Sequence, residues 1–138
     1  MQPDPELASF IKQMYGVFES GSTDRVDDLI SNAPGAIGIG TDPDEWWVDD
    51  AIAAAFRAQV PEMHGAGMRF RAGDIAAYSE GSVGWLADRP ALVLPNGAEA
   101  QMRMTAVCHR DGGAWKIVQF HLSIGVPNAD ALGQELTI

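Results

Sequence analysis

Acid–base chemistry in a protein needs a carboxyl, imidazole or phenol positioned against one point in a sheltered site. Few residues of this chain meet that requirement. Asp88 ends the run Val83-Gly-Trp-Leu-Ala-Asp88, whose period of two places it on the side of Gly84 and Leu86. A carboxyl turned inward from a strand end can act as general acid or base, and the competing roles are an ion pair with Arg89 or Arg103, or a cap on the bend before Pro90. His121 with Ser123 two residues on suggests a base and a nucleophile, but neither a third triad member nor a nucleophile elbow accompanies them. His64 reads as a loop residue, and with His109 and His121 it forms no His-x-x-His or Glu-x-x-His pair on one element. The expectation is therefore no metal and no redox cofactor. Cys108 is the only cysteine, flanked by Met104, Ala106 and Val107, and reads as a small buried hydrophobe rather than a reactive thiol.

Composition bounds the partners. The net charge of −10, from 19 acidic against 9 basic residues, sets most of the surface against a phosphate backbone or an anionic membrane. Nucleic acid is not expected, and no apolar run approaches the ~20 residues of a membrane span. The N-terminal Met-Gln-Pro-Asp-Pro-Glu lacks the basic and apolar segments of a signal peptide, so a cytoplasmic setting is expected. The 138 residues suit one domain, its core over about 5–125 and a tail over 126–138.

The elements that must position these groups can be read in order. Asp4-Pro5 starts a helix whose inward stripe is Leu7, Phe10, Ile11, Met14, Tyr15 and Phe18, with Gly21 where a cap belongs. A shorter second helix is expected after Ser22 or Thr23, with Val26, Leu29 and Ile30 inward. A short strand over Ala36 to Ile39 follows. A third helix starts at Asp49 or Asp50, carries Ile52, Phe56 and Val60 inward, and stops before Pro61. From Gly67 the period changes to two: Met68, Phe70 and Ala72 alternate with Arg69 and Arg71, and about four strands follow, the last pair joined at Asp111-Gly112-Gly113. Helices followed by a meander predict an α+β fold with helices on one sheet face.

Parity divides the last two strands. Met102, Met104, Ala106 and Cys108, with Val118, Phe120, Leu122 and Ile124, form an apolar set that should face the helices. Arg103, Thr105, Val107 and His109, with Trp115, Ile117, Gln119, His121 and Ser123, form an amphipathic set suited to a protein interface. Trp85 shares that character. A homodimer through Trp85, Arg103, Thr105, Trp115, Gln119, His121 and Ser123 is expected, the competing reading being tryptophans covered by loops of their own chain.

The run Thr105-Ala-Val-Cys-His-Arg110, the turn Asp-Gly-Gly-Ala and Trp115-Lys-Ile-Val-Gln-Phe-His-Leu-Ser123 resemble the end of SnoaL-like domains of the nuclear transport factor 2-like superfamily, and also the hub domain of calmodulin-dependent kinase. Gly40-Thr-Asp-Pro-Asp-Glu-Trp-Trp47 and Gly84-Trp-Leu-Ala-Asp88 resemble SnoaL-like segments as well, and the element order fits from about Leu7 to Ile124. The resemblance implies a curved antiparallel sheet forming a cone-like half barrel over three helices, a cavity between them, and dimerisation through the outer sheet face. Ala106 and Leu122 fall where the kinase hub carries pocket arginines, which implies an apolar pocket. Ketosteroid isomerases of this superfamily use an Asp base with a Tyr and a protonated Asp as oxyanion hole. Asp42 falls at the base position and Tyr15 within one residue of the tyrosine, but the second acid aligns with Ala106. The competing role of Asp42-Pro43 is a turn.

Met14, Trp46, Trp47, Phe56, Phe70, Leu86, Met102, Met104, Phe120 and Leu122 are the expected pocket wall, with plain core as the alternative. Three functions stay open. The first is binding of an apolar, polyketide- or steroid-like molecule. The second is cofactor-independent isomerase, cyclase or hydrolase-type chemistry with Asp42, Asp88 and Tyr15. The third is a dimerisation or protein-interaction module.

Overall fold

The computed structural model describes residues 1–137. Strand β1 (Gln2–Pro3) leads into helix α1 (Pro5–Ser20), where Asp4 accepts the Leu7 amide at 2.9 Å as N-cap and Gly21, at φ +71°, ends the helix. That amide bond holds the Asp4 carboxyl below its ordinary range, against the opposing effect of burial. The expected second helix is only a 3₁₀ turn, Val26–Asp28. Leu29, Ile30 and Ser31 instead run beside the last strand: Ile30 bridges Ile117, and the Ile117 amide donates to the Leu29 carbonyl at 2.8 Å. Sheet hydrogen bonding thus won over helical spacing there.

Strands β2 (Ile37–Ile39) and β3 (Trp46–Val48) precede helix α2 (Asp50–Gly65). Asp49 occupies the N-cap position, yet its carboxylate accepts from the Gly35 and Ala36 amides at 2.7 and 3.1 Å, so it ties the preceding loop instead of capping the helix. Pro61 does not stop α2, which continues to Gly65. Pro61 lies on the exposed side, where water can take the carbonyl its missing N–H leaves free. Strands β4 (Arg69–Arg71), β5 (Ala76–Glu80), β6 (Val83–Asp88), β7 (Ala91–Val93), β8 (Glu99–Asp111) and β9 (Ala114–Ile124) follow, and a short helix α3 (Asn128–Leu132) lies in the expected tail. Among the described residues no helix is long and apolar enough to cross a membrane.

The main path through the sheet is β1-β5-β6-β8-β9-β2-β3, with β4 and β7 branching from β8. The α+β class is as expected, but the curved sheet is mixed rather than wholly antiparallel, since β2 runs parallel to β9. Gly112 and Gly113, both at positive φ (+63° and +91°), make the two-residue turn between β8 and β9.

A bulge in β9 decides which residues reach the core. Val107 pairs with Gln119 and Cys108 with Ile117, leaving Val118 as an extra residue. Parity therefore reverses there. Phe120 faces in and is buried, as expected, with Leu122 half-buried beside it. Trp115 and Ile117, placed on the outer face by uninterrupted alternation, are instead core residues, 4% and 0% exposed. Trp115 packs where Gly84 leaves room, and the Arg110 guanidinium lies 4.3 Å over its ring. Trp115 thus belongs to the core of its own chain and not to an interface.

Candidate functional site

Between α1, α2 and the inner face of β8 and β9 lies a cavity of about 290 Å³. Helix α1 contributes Met14, Tyr15 and Phe18, and α2 contributes Phe56, Gln59, Glu62 and Met63. The sheet supplies Phe70, Leu92, Met102, Met104, Phe120 and Leu122, while Gly40, Thr41, Glu45 and Trp47 come from the β2–β3 corner. Of the expected wall residues, Met14, Trp47, Phe56, Phe70, Met102, Met104, Phe120 and Leu122 are here together. Trp46 is not: alternation in β3 turns it outward and leaves it 62% exposed. Leu86 is not either, because it is packed into the solid core opposite Ala77 and Ala106.

The wall is a chain of aromatic rings. Trp47 lies 6.3 Å from Phe120, Phe120 5.4 Å from Phe56, Phe56 5.2 Å from Phe18, Phe18 5.5 Å from Phe70, and Phe70 5.5 Å from Tyr15. Two glycines make room for it. A Cβ on Gly38 would stand 2.5 Å from the Phe120 ring, and one on Gly40 would stand 2.7 Å from the Glu45 carboxylate.

Tyr15 ends this chain and marks the polar point of the wall. Its hydroxyl donates to Asp88 Oδ2 at 2.8 Å, with Met104 Sδ at 3.4 Å as the weaker neighbour. Asp88 is 4% exposed and also accepts from the backbone amides of Gly73 (3.1 and 3.3 Å) and Arg89 (2.8 Å). Its partners are thus a phenol and two amides, not the guanidinium of Arg89 or Arg103. Asp88 turns inward but stands behind Tyr15 and does not itself line the cavity. Burial above all, then the hydrogen bond and charge of Asp88, push the Tyr15 phenol well above the usual tyrosine range, so Tyr15 keeps its proton.

Asp42, the other candidate base, is exposed and outside the cavity wall. Its carboxylate accepts the Asp44 amide at 3.0 Å and its backbone carbonyl accepts the Glu45 amide at 3.0 Å, the geometry of the competing turn role. The acid that reaches the cavity from this segment is Glu45, half-buried, which accepts from the Asp42 amide and from Gln59 Nε2, each at 2.9 Å. Sequence reasoning missed it, because Glu45 lies in the turn just before β3, where strand alternation does not yet apply.

Trp85, Arg103, Thr105, Gln119, His121 and Ser123 lie on the outer sheet face, where Thr105 pairs with His121, Arg103 with Ser123 and Val107 with both Trp85 and Gln119. His121 and Ser123 are therefore remote from the cavity. Among the described residues no group of three or more His, Cys, Asp or Glu is arranged to hold a metal. A wider groove of about 780 Å³ follows the other side of α1, but its charged edge is already paired: Arg25 with Asp28, Glu6 with Arg110, and Lys116 with the Asp27 and Asp28 carbonyls.

A curved mixed sheet packed on helices is the α+β fold of solved proteins described as NTF2-like or cystatin-like. The model of the SnoaL-like domain matches residues 7–127, and this chain belongs to that family. No curated protein matches the sequence. Solved structures with similar folds include an uncharacterised protein with a cystatin-like fold from Caulobacter vibrioides, 16% identical with TM-score 0.71, where 91% of each chain is covered. A proposed dehydratase of the NTF2-like family from Streptomyces avermitilis is 11% identical with TM-score 0.72, covering 88% of this chain and 94% of the other. A proposed ketosteroid isomerase from Parabacteroides distasonis is 17% identical with TM-score 0.65, covering 88% and 86%. Identities this low establish the fold and leave the chemistry to the residues of the cavity.

Proposed function

We propose that this SnoaL-like domain binds an apolar small molecule in the cavity between α1, α2 and the inner face of β8 and β9. The observation that carries this reading is the unbroken aromatic wall from Trp47 to Tyr15, lining a space of about 290 Å³. That volume is at the lower edge of the roughly 300–1,000 Å³ typical of ligand sites. A flat ring system of modest size, such as a small polyketide-like aromatic, suits it. The test is a thermal-shift screen of such compounds against the wild type and Leu122→Trp, which fills the wall. At a hundredfold excess over Kd a ligand adds about 2.7 kcal/mol to native stability, so a hit should raise Tm in the wild type and not in the folded variant. Equal shifts in both proteins would place binding elsewhere.

A second reading rests on the 2.8 Å contact between Tyr15 and Asp88. Acting as a couple, they could take a proton from a carbon acid held in the cavity: the proton passes to the Tyr15 oxygen as the phenol proton passes to Asp88. Turnover should then fall by about 10²–10⁴ in Tyr15→Phe and Asp88→Asn while ligand affinity changes little. Equal turnover in the three proteins would rule the couple out.

We also propose a homodimer through the outer sheet face, which leaves Trp46, Val48 and Val83 at 62%, 49% and 43% exposure. Light scattering at micromolar concentration should give about twice the 14.8 kDa of one chain. A mass near one chain would refute it.

A further inference from the structure

The polar groups of the cavity point to a ligand charge as well as a shape. The single hydroxyl proton of Tyr15 is committed to Asp88, a far better acceptor than the Met104 sulfur, so the phenol oxygen offers the cavity only lone pairs. Glu45 is acceptor-only when ionised; each of its oxygens already takes one N–H, and a carboxylate has about four lone-pair sites in all. Glu62 adds a second carboxyl at the rim. The side-chain donors that remain, the Thr41 hydroxyl, the Trp47 indole and the second Gln59 amide proton, are neutral, and among the described residues no lysine, arginine or histidine lines the wall. The rings add to this polarity only where one turns its face to the cavity, because the face is the negative side of the quadrupole and the edge the positive side.

An anionic ligand would therefore meet two like charges and no cation. A protonated amine on an apolar body would meet a carboxylate, aromatic rings and an acceptor oxygen. Resting on the binding reading above, the geometry points to a cavity that selects apolar amines, with the ammonium group at Glu45 and the body along the rings from Trp47 toward Tyr15. The charge of Glu45 is the discriminating element. Its position is fixed by Gln59 on one side and the Asp42 amide on the other, so little side-chain freedom is lost when a ligand arrives.

The test uses three probes with one body: 2-naphthylmethylamine, 2-naphthylmethanol and 2-naphthoate, titrated calorimetrically into the full chain. The amine should bind about tenfold more tightly than the alcohol, and the carboxylate more weakly than either. Raising sodium chloride should weaken the amine and spare the alcohol. Glu45→Gln should bring the amine-to-alcohol ratio close to one. Should that variant fail to fold, the salt titration on the wild type decides the same point. An alcohol as tight as the amine, or a carboxylate tighter than both, overturns the charge selection and leaves the binding reading intact. Silence from all three overturns both.

Discussion

The two ends of the β8–β9 pair face the same helices with opposite results. At the turn end, Cys108, Trp115 and Ile117 are packed solid against Leu7, Ile11 and Val26, all nearly inaccessible. At the other end, Met102, Met104, Phe120 and Leu122 line a hollow. Both ends are apolar, so hydrophobicity does not separate them. The bulge at Val118 does: it turns both Trp115–Ile117 and Phe120–Leu122 inward on one strand, with a bend between them. Gly38 and Gly40 then let Phe120 and Glu45 lie against the backbone rather than fill the space. One end is solid core, and the other leaves a hollow.

Truncating each end in turn should separate those roles most sharply. Ile117→Ala removes a fully buried side chain and should cost about 3 kcal/mol in urea unfolding, whereas Leu122→Ala, on a wall that already borders empty space, should cost under about 1.5 kcal/mol and weaken ligand binding instead. Similar losses at both positions would mean the hollow end is as tightly packed as the solid one. Next in size is Gly38→Ala. The new Cβ must displace Phe120, at about 2 kcal/mol, and the same variant should shrink the cavity and lower affinity for any bound aromatic. An unchanged protein would show that Phe120 has room to move.

Asp88→Asn tests the polar point of the hollow end. The amide replaces one acceptor oxygen with a donor that faces the N–H of Gly73 or Arg89 or the Tyr15 hydroxyl, which should cost about 1.5 kcal/mol. A neutral result would mean the carboxylate is not needed by its three donors. The smallest effect is alkaline. Burial pushes the Cys108 thiol up to about 12 from its ordinary 9.0, and the Tyr15 phenol is likewise raised above its ordinary 10.0. The unfolded chain loses these protons first, so it binds fewer protons than the native state and stability falls as pH rises past 9 and then past 10. Tyr15→Phe should remove the phenol's share, up to about 1.4 kcal/mol per pH unit above pH 10. Identical slopes for wild type and variant would deny that Tyr15 is protected.

Much of the site was legible in the residues. Helical spacing put Met14, Tyr15, Phe18 and Phe56 on inward faces, and strand alternation did the same for Phe70, Met102 and Met104, because local periodicity follows directly from backbone geometry. The misplaced residues have one kind of cause. Trp115 and Ile117 were assigned outward because a bulge leaves no mark on alternation until the partner strand's register is known. Val26, Leu29 and Ile30 carried helical spacing, but Leu29 and Ile30 were drawn into contact with β9, leaving only a 3₁₀ turn over Val26–Asp28. Asp42 was singled out by its place in the family resemblance, which does not say which acid of this turn reaches the cavity, and Glu45 was missed.

The amino-acid order alone determined the α+β class, the greasy inner face and the residues able to build an apolar wall, since these depend on periodicity and composition. Tertiary structure decided which of them enclose empty space, that Asp88 stands behind Tyr15 and off the cavity wall, and that Glu45 rather than Asp42 faces the cavity. Those outcomes depend on contacts between residues far apart in the chain, Tyr15 with Asp88 and Gly38 with Phe120 above all, and no local pattern encodes such contacts.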